Sequence, residues 1–332
     1  MTEALLKVEN LRVELKTKEG TVPVIDDISF ELNYGESLSF VGESGCGKSM
    51  TALAIMGLLP EKISKISSGR ILFEGQDLTR LSTQDLRKIR GNKISMIFQE
   101  PMSSLNPVYS IGEQITEVLK LHQNLRGSVA WRRAEELLDA VKIPDPKRRI
   151  RDYPFQMSGG QRQRVMIAMA LACKPKILIA DEPTTALDVT VQAQIFELLN
   201  DLKTKTGTSI ILITHDMGVV AKMAQKMIVM YAGRSCEVGD VRHVIDTPAH
   251  PYTSGLISCV PHVDERTYRQ SDRITEIPGI VPSLKDFGDE KCLFASRCRK
   301  QSEKCWRKRP KLEAVSDQQG VACWNRENLN VK

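Results

Sequence analysis

The chain has 332 residues, enough for one large domain and an appendage. Hydrophobic residues make up 41% and charged residues 27%, an ordinary globular balance that argues against disorder. The net charge of +6 is mild but unevenly placed: Lys291 to Lys311 carries nine Lys or Arg and one Glu. Such a stretch attracts nucleic acid, anionic lipid or an acidic protein face, and equally well forms a solvated surface. The longest apolar runs, Val165 to Cys173 and Ser209 to Ile213, fall short of the roughly 18 residues a membrane span needs. Met1-Thr2-Glu3-Ala4-Leu5-Leu6 lacks the basic start and apolar stretch of a secretion signal, so a cytosolic chain with reduced cysteines is expected.

In chain order, residues 5–34 read as strands joined by a turn near Lys18-Glu19-Gly20, from the alternation in Leu11-Arg12-Val13-Glu14-Leu15 and Ile28-Ser29-Phe30-Glu31-Leu32. A short apolar strand, Leu38 to Val41, leads into a glycine-rich loop, and a helix starts at Lys48. Helical spacing of Ile111, Ile115, Val118 and Leu119, and of Ala134, Leu137, Leu138 and Val141, predicts a mostly helical insert over about 101–157. Helices from Gly160, from Val189 and after Asp216 then alternate with the strands Lys176–Ala180, Ser209–Ile213 and Lys226–Met230. This alternation predicts an α/β fold with a largely parallel sheet covered on both faces. Beyond about Asp246 the texture is irregular and proline-rich, which suggests a division into residues 1–245 and 246–332.

Three segments carry chemistry. Gly42-Glu43-Ser44-Gly45-Cys46-Gly47-Lys48-Ser49 fits G-x-x-x-x-G-K-[ST] between a strand and a helix. The glycines let backbone N–H groups converge on phosphates, the lysine reaches the β- and γ-phosphates, and the serine hydroxyl helps to hold Mg²⁺. The strand Ile177 to Ala180 ends in Asp181 and Glu182, which suits one carboxylate for Mg²⁺ and the other for the attacking water. Ser158-Gly159-Gly160-Gln161 opens another apolar helix, a second place for an anion or simply a capped helix start.

In this order and spacing, over about residues 5–245, the segments resemble the nucleotide-binding domain of the ABC superfamily. The resemblance implies a P-loop ABC fold with a mostly parallel sheet core, an antiparallel β subdomain and a helical insert. It assigns Gln99 to the loop that contacts Mg²⁺ and water, Ala186-Leu187-Asp188 to the D-loop, and His215 to the switch that contacts the γ-phosphate. It further implies a head-to-tail dimer with two ATP molecules, in which Ser158, Gly159, Gly160 and Gln161 cover the partner's ATP, while the helical insert receives a membrane permease. Two departures stand out: Leu15 and Val22 occupy the region where members stack adenine on an aromatic ring, and Met157 replaces the usual leucine before the signature.

Cys292, Cys298, Cys305 and Cys323 cluster in the tail, separated by five, six and seventeen residues. Four such thiols suit zinc or an iron–sulfur cluster, although structural zinc prefers tighter pairs, and unliganded cysteines remain an alternative. With His250-Pro251-Tyr252-Thr253 and Ile277-Pro278-Gly279-Ile280-Val281-Pro282, they resemble the C-terminal extension of dipeptide/oligopeptide permease ATPases. That resemblance implies a [4Fe-4S] cluster and ATP-driven peptide import at the cytoplasmic face of the inner membrane. The implied partners are a second ATPase subunit, two permease subunits and, indirectly, an extracytoplasmic peptide-binding protein, with no nucleic acid. The alternative is a soluble ABC ATPase acting on nucleic acid or ribosomes through the basic tail. A single phosphate loop, only 110 positions from Lys48 to Ser158, favours transport.

Overall fold

A computed structural model describes residues 4–99, 104–185, 187–259, 276–288 and 290–326. The chain forms two compact units. One takes Glu31–Ser37 and Leu72–Ile213 with the stretch ending at Leu6; the other takes Lys7–Phe30, Leu38–Ile71 and the chain from Thr214 onward.

The first unit is built on three parallel strands, Ile94–Ile97, Ile177–Asp181 and Ser209–Ile213. The middle strand pairs on both sides, Ile179 lying opposite Met96 and Ile211, and all five of its residues are buried. A strand covered on both faces cannot alternate polar and apolar residues, hence the unbroken Ile177-Leu178-Ile179-Ala180. Asp181, the last residue of this strand, is still paired with Ile213, and Glu182 follows as the chain leaves the sheet. The expected helical region contains Ile111–Gln123 and Gly127–Ala140. Ser110 and Glu113 close the start of the first of these with a reciprocal capping box. Ile111, Ile115 and Leu119 are buried on one helix, and Ala130, Ala134, Leu137 and Leu138 on the other, as the helical period requires. The region's expected start at 101 lies outside the described residues.

In the second unit, the strand Leu6–Thr17 lies between Gly20–Leu32 and Ser64–Phe73, with the expected turn at Lys18-Glu19. The strand Ser37–Val41, which carries the phosphate loop, runs parallel to Lys226–Tyr231, with Val41 opposite Val229. Beyond it the pairing turns antiparallel, through Arg234–Asp240 to Gln319–Val321 and Glu313–Ser316. The described part of the tail therefore holds more regular structure than its irregular sequence suggests. Its two strands are four and three residues long, too short to show a period-two pattern, and all four residues of the outer one are exposed. Val41, Val229 and Tyr231 share one core with Tyr252, Phe287, Leu293 and Phe294, so the C-terminal stretch completes the packing beside the phosphate loop.

The central strand of the first unit tolerates little loss of volume. Replacing Ile179, fully buried, with alanine should cost about 2–5 kcal/mol. A urea titration followed by circular dichroism checks this; an unchanged midpoint would show that the strand is not under packing constraint.

Candidate nucleotide site

The phosphate loop leaves the sheet at Gly42 and enters the helix Lys48–Met56 at Gly47. Gly42 has φ of +151°, and a Cβ there would stand 2.3 Å from the Met230 carbonyl oxygen, so no side chain fits. Gly47 has φ of +104° and caps the helix without a side-chain hydrogen bond, which leaves the helix start to backbone N–H groups. Lys48 is buried, and its Nζ donates to the carbonyls of Gly42 at 2.8 Å and Glu43 at 3.0 Å. Its Nζ also lies 3.7 Å from Cys46 Sγ, a thiol whose pKa burial raises. Ser44 and Gly45 lie in the turn of the loop, and Ser49 is in the first turn of the helix. His215 is exposed in the same unit, between the buried Thr214 and Asp216, which caps the next helix through Gly218 and Val219 N–H.

The other unit places Asp181, buried, at the strand end, with Glu182 next to it in a left-handed conformation at φ of +44°. For a residue with a Cβ this is sparsely populated backbone, of the kind that collects at working sites. Glu182 N–H bonds to the Ile213 carbonyl at 2.9 Å, which fixes the turn. Its carboxylate accepts from Gln99 Nε2 and from Thr185 Oγ1, each at 3.0 Å, so Gln99 and Glu182 are brought together from 83 residues apart. Ser158 caps the helix Gly159–Leu171 in a capping box with Gln161. A Cβ on Gly160 would meet Val191 Cγ1 at 2.9 Å, and one on Gly159 would meet Leu187 Cδ2 at 3.4 Å. The signature and D-loop segments thus pack on one another, Asp188 capping the following helix through Val191 N–H at 2.9 Å. Ala186 lies outside the described residues.

Two residues of the C-terminal stretch reach the phosphate loop, and sequence reasoning assigned neither a role. Tyr252 Oη accepts from Glu43 N–H at 2.8 Å, and Arg297 forks onto the Glu43 carboxylate. Tyr252 lies in the His-Pro-Tyr-Thr run, whose only visible signal was its resemblance to known extensions; Arg297 was one cation among nine.

The cysteine tail gives a mixed result. The backbone N–H of Cys292 bonds to the Cys305 carbonyl at 2.8 Å, and Asn325 approaches Sγ of both Cys323 and Cys305. Burial pushes the Cys292 thiol up to about 12, and charge on Cys305, Cys323 and Cys298 acts in the same direction. Burial likewise raises Cys298 and Cys323, so the four thiols are near enough to affect one another. Among the described residues, however, no group of three or more His, Cys, Asp or Glu side chains is placed to hold a metal ion. The expected [4Fe-4S] cluster therefore gains no support from this arrangement, and neither does zinc.

Phosphate loop, carboxylate pair, glutamine and signature helix define the class, an ABC-type nucleotide-binding domain. The chain matches the ABC transporter family over residues 25–185 and the oligopeptide/dipeptide transporter C-terminal region over 236–305. It is 48% identical to the dipeptide transport ATP-binding protein DppD of Bacillus subtilis, over 97% of this chain and 95% of that one. It is 49% identical to the oligopeptide transport ATP-binding protein OppD of Haemophilus influenzae, over 96% and 97% respectively. Among solved structures, it resembles a dimeric ATP-binding cassette in a post-hydrolysis state with ADP and phosphate. That likeness has a TM-score of 0.64 and 30% identity, and covers 71% of this chain and 99% of that one. The chain belongs to the ATP-binding subunits of the dipeptide/oligopeptide ABC importers.

The contact between tail and loop carries a pH dependence. His250 is fully buried, its Nδ1 accepts from Tyr252 N–H at 3.0 Å, and burial lowers its pKa from 6.5 to about 4. The folded state holds it neutral, whereas the unfolded chain protonates it below 6.5, so its contribution is complete above pH 6.5 and lost as pH falls through about 4. The whole effect is about 3 kcal/mol. Glu237, which accepts from the Ala249 and His250 N–H groups, is raised by burial and acts in the opposite sense, losing stability as pH rises through its folded value. The measurement is therefore a difference. His250→Asn keeps a helix-capping acceptor and should lose stability less steeply than the parent between pH 6.5 and 4 in urea unfolding. Parallel curves would show that His250 does not titrate across unfolding.

Proposed function

We infer that this chain is the ATP-hydrolysing subunit of an importer for di- or oligopeptides, working as a head-to-tail dimer that holds two ATP molecules. The observation that carries the mechanism is the hydrogen bond from Gln99 to Glu182, which aims a strained carboxylate from a strand end. Backbone N–H groups of the loop at residues 42–49, other than that of Glu43, which bonds to Tyr252, receive the phosphates together with Lys48. Ser49, Asp181 and Gln99 each carry an oxygen donor, the ligand type that a hard cation such as Mg²⁺ takes, and they are the residues that would hold that ion, which would supply charge neutralisation in phosphoryl transfer. Glu182 orients the attacking water and takes its proton, and His215 bonds to the γ-phosphate. Ser158, Gly159, Gly160 and Gln161 serve the ATP held by the partner subunit. Their helix start supplies free N–H groups and the positive end of a dipole.

The partner is a second ATP-binding subunit, a copy or a relative, and the pair drives two permease subunits fed by an extracytoplasmic binding protein. Among the described residues no helix is long and apolar enough to cross a membrane. We place the chain peripherally at the cytoplasmic face of the inner membrane, attached through the permease, as its relatives' names as peptide transport proteins suggest. The relatives' names are those of peptide transport proteins and lend no support to action on nucleic acid or ribosomes. We also propose that Cys292, Cys298, Cys305 and Cys323 hold a [4Fe-4S] cluster, supported by the match to the transporter C-terminal region, which takes in the first three of them. A cluster spans more space than a single ion, so its ligands need not converge on one point.

Glu182→Gln should lower ATP turnover by about 10²–10⁴-fold and trap an ATP-bound dimer, read by hydrolysis assay and size-exclusion chromatography. Normal turnover would remove the base assignment. Anaerobically purified protein should contain iron and acid-labile sulfide; zinc, or no metal, would reject the cluster.

A further inference from the structure

Arg297 lies beside Cys298 in the C-terminal stretch, yet its guanidinium is devoted to the phosphate loop. Nη1 donates to Glu43 Oε2 at 2.6 Å and Nη2 to Glu43 Oε1 at 2.9 Å, a two-pronged fork. Nη1 also donates to Tyr231 Oη, Nη2 to the Ile277 carbonyl, and Nε to the Pro278 carbonyl. These bonds occupy all five N–H groups of the guanidinium. The side chain is only 3% exposed, and the neighbouring Glu43 carboxylate raises its affinity for its proton. Gly279, at φ of +82°, lets the loop lie against the arginine stem, since a Cβ there would approach Arg297 Cγ to 3.1 Å. A fully buried arginine with every donor used is a built socket, and its one charged partner among the described residues is Glu43 of the phosphate loop.

Glu43 is held at three points. Its N–H goes to Tyr252 Oη, its carboxylate to Arg297, and its carbonyl accepts from Lys48 Nζ. Tyr252, Tyr231 and Phe294 pack edge-on or tilted with ring centroids 4.7–5.4 Å apart, so the hydroxyl and the guanidinium stand on one aromatic platform. The position of residue 43 sets where the Lys48 ammonium stands. It also decides that the Glu43 N–H faces a tyrosine and is not shared with phosphate.

We propose that Arg297, with Tyr252, is a positioning residue of the nucleotide site, so that the C-terminal extension sets ATP affinity by clamping Glu43 in the phosphate loop. The inference rests on reading residues 42–49 as that loop. It also gives the cysteine module a direct line to the site, because the residue after Arg297 is Cys298. Lysine cannot replace the arginine, since an ammonium offers no planar fork and only three donors.

The test is a titration of the full-length chain with Mg²⁺–ATP by calorimetry, well below its melting temperature, for the parent, Arg297→Lys, Glu43→Gln and the double variant. Arg297→Lys should weaken ATP binding about tenfold, and the double variant should bind no more weakly than the weaker single one, since both remove the same clamp. Melting without nucleotide is recorded alongside. A lower melting temperature with unchanged ATP affinity would mean a merely structural arginine and overturn the proposal, as would fully additive losses. If Arg297→Lys fails to fold, Tyr252→Phe decides: it removes only the hydroxyl that accepts from Glu43 N–H, and unchanged affinity would again overturn the clamp. No ATP binding by the parent chain would overturn the loop assignment itself, and this inference with it.

Discussion

The second unit depends on how the chain turns from a buried strand into the helix at Lys48. The turn passes so close to the Met230 carbonyl that Gly42 has no room for a Cβ. Backbone packed that tightly presents its own N–H groups and excludes side chains that would compete for an anion. Once the loop is fixed on one side by the sheet, the remaining freedom lies at Glu43. That freedom is removed from outside the loop, by Tyr252 and Arg297. A local motif thus gets its final shape from residues more than 200 positions away.

The carboxylate site in the first unit follows the same logic. Asp181 and Glu182 are adjacent in sequence but differ in environment: Asp181 ends a fully buried strand, and Glu182 turns left-handed out of it. The strand pairing holds the first, and the Ile213 carbonyl, Gln99 and Thr185 hold the second. Strain of this kind survives only where neighbours over-determine it. At the signature, Gly159 and Gly160 have a packing role as well as an electronic one. They let Leu187 and Val191 come close, so the start of the helix at Ser158 is braced by residues 187–191 behind it.

Much of this was legible from residue order. The parallel strands showed as unbroken apolar runs, and the helical region showed as two amphipathic stripes, because both patterns arise from burial local to each element. The pairing of Gln99 with Glu182 could be expected only through resemblance to known proteins; no spacing rule brings together residues 83 apart. The short tail strands left no periodic signal, so an irregular segment turned out to extend the sheet. The four cysteines were conspicuous by composition. That burial raises the thiols of Cys292, Cys298 and Cys323 could not be seen in the sequence.

By itself, the sequence marked residues 42–49, by their pattern, as a phosphate-binding loop, and marked a second, separate helix start at Ser158. Those features are local: glycine, lysine and serine at set intervals have the same backbone consequences wherever the strand–loop–helix forms. Only the tertiary structure decided that the C-terminal extension is part of the phosphate loop's support. That depends on Arg297 meeting Glu43 across 254 residues, and on a buried guanidinium finding five acceptors supplied by four residues from three separate stretches of chain. Such convergence is a property of the packed core, and no stretch of sequence contains it.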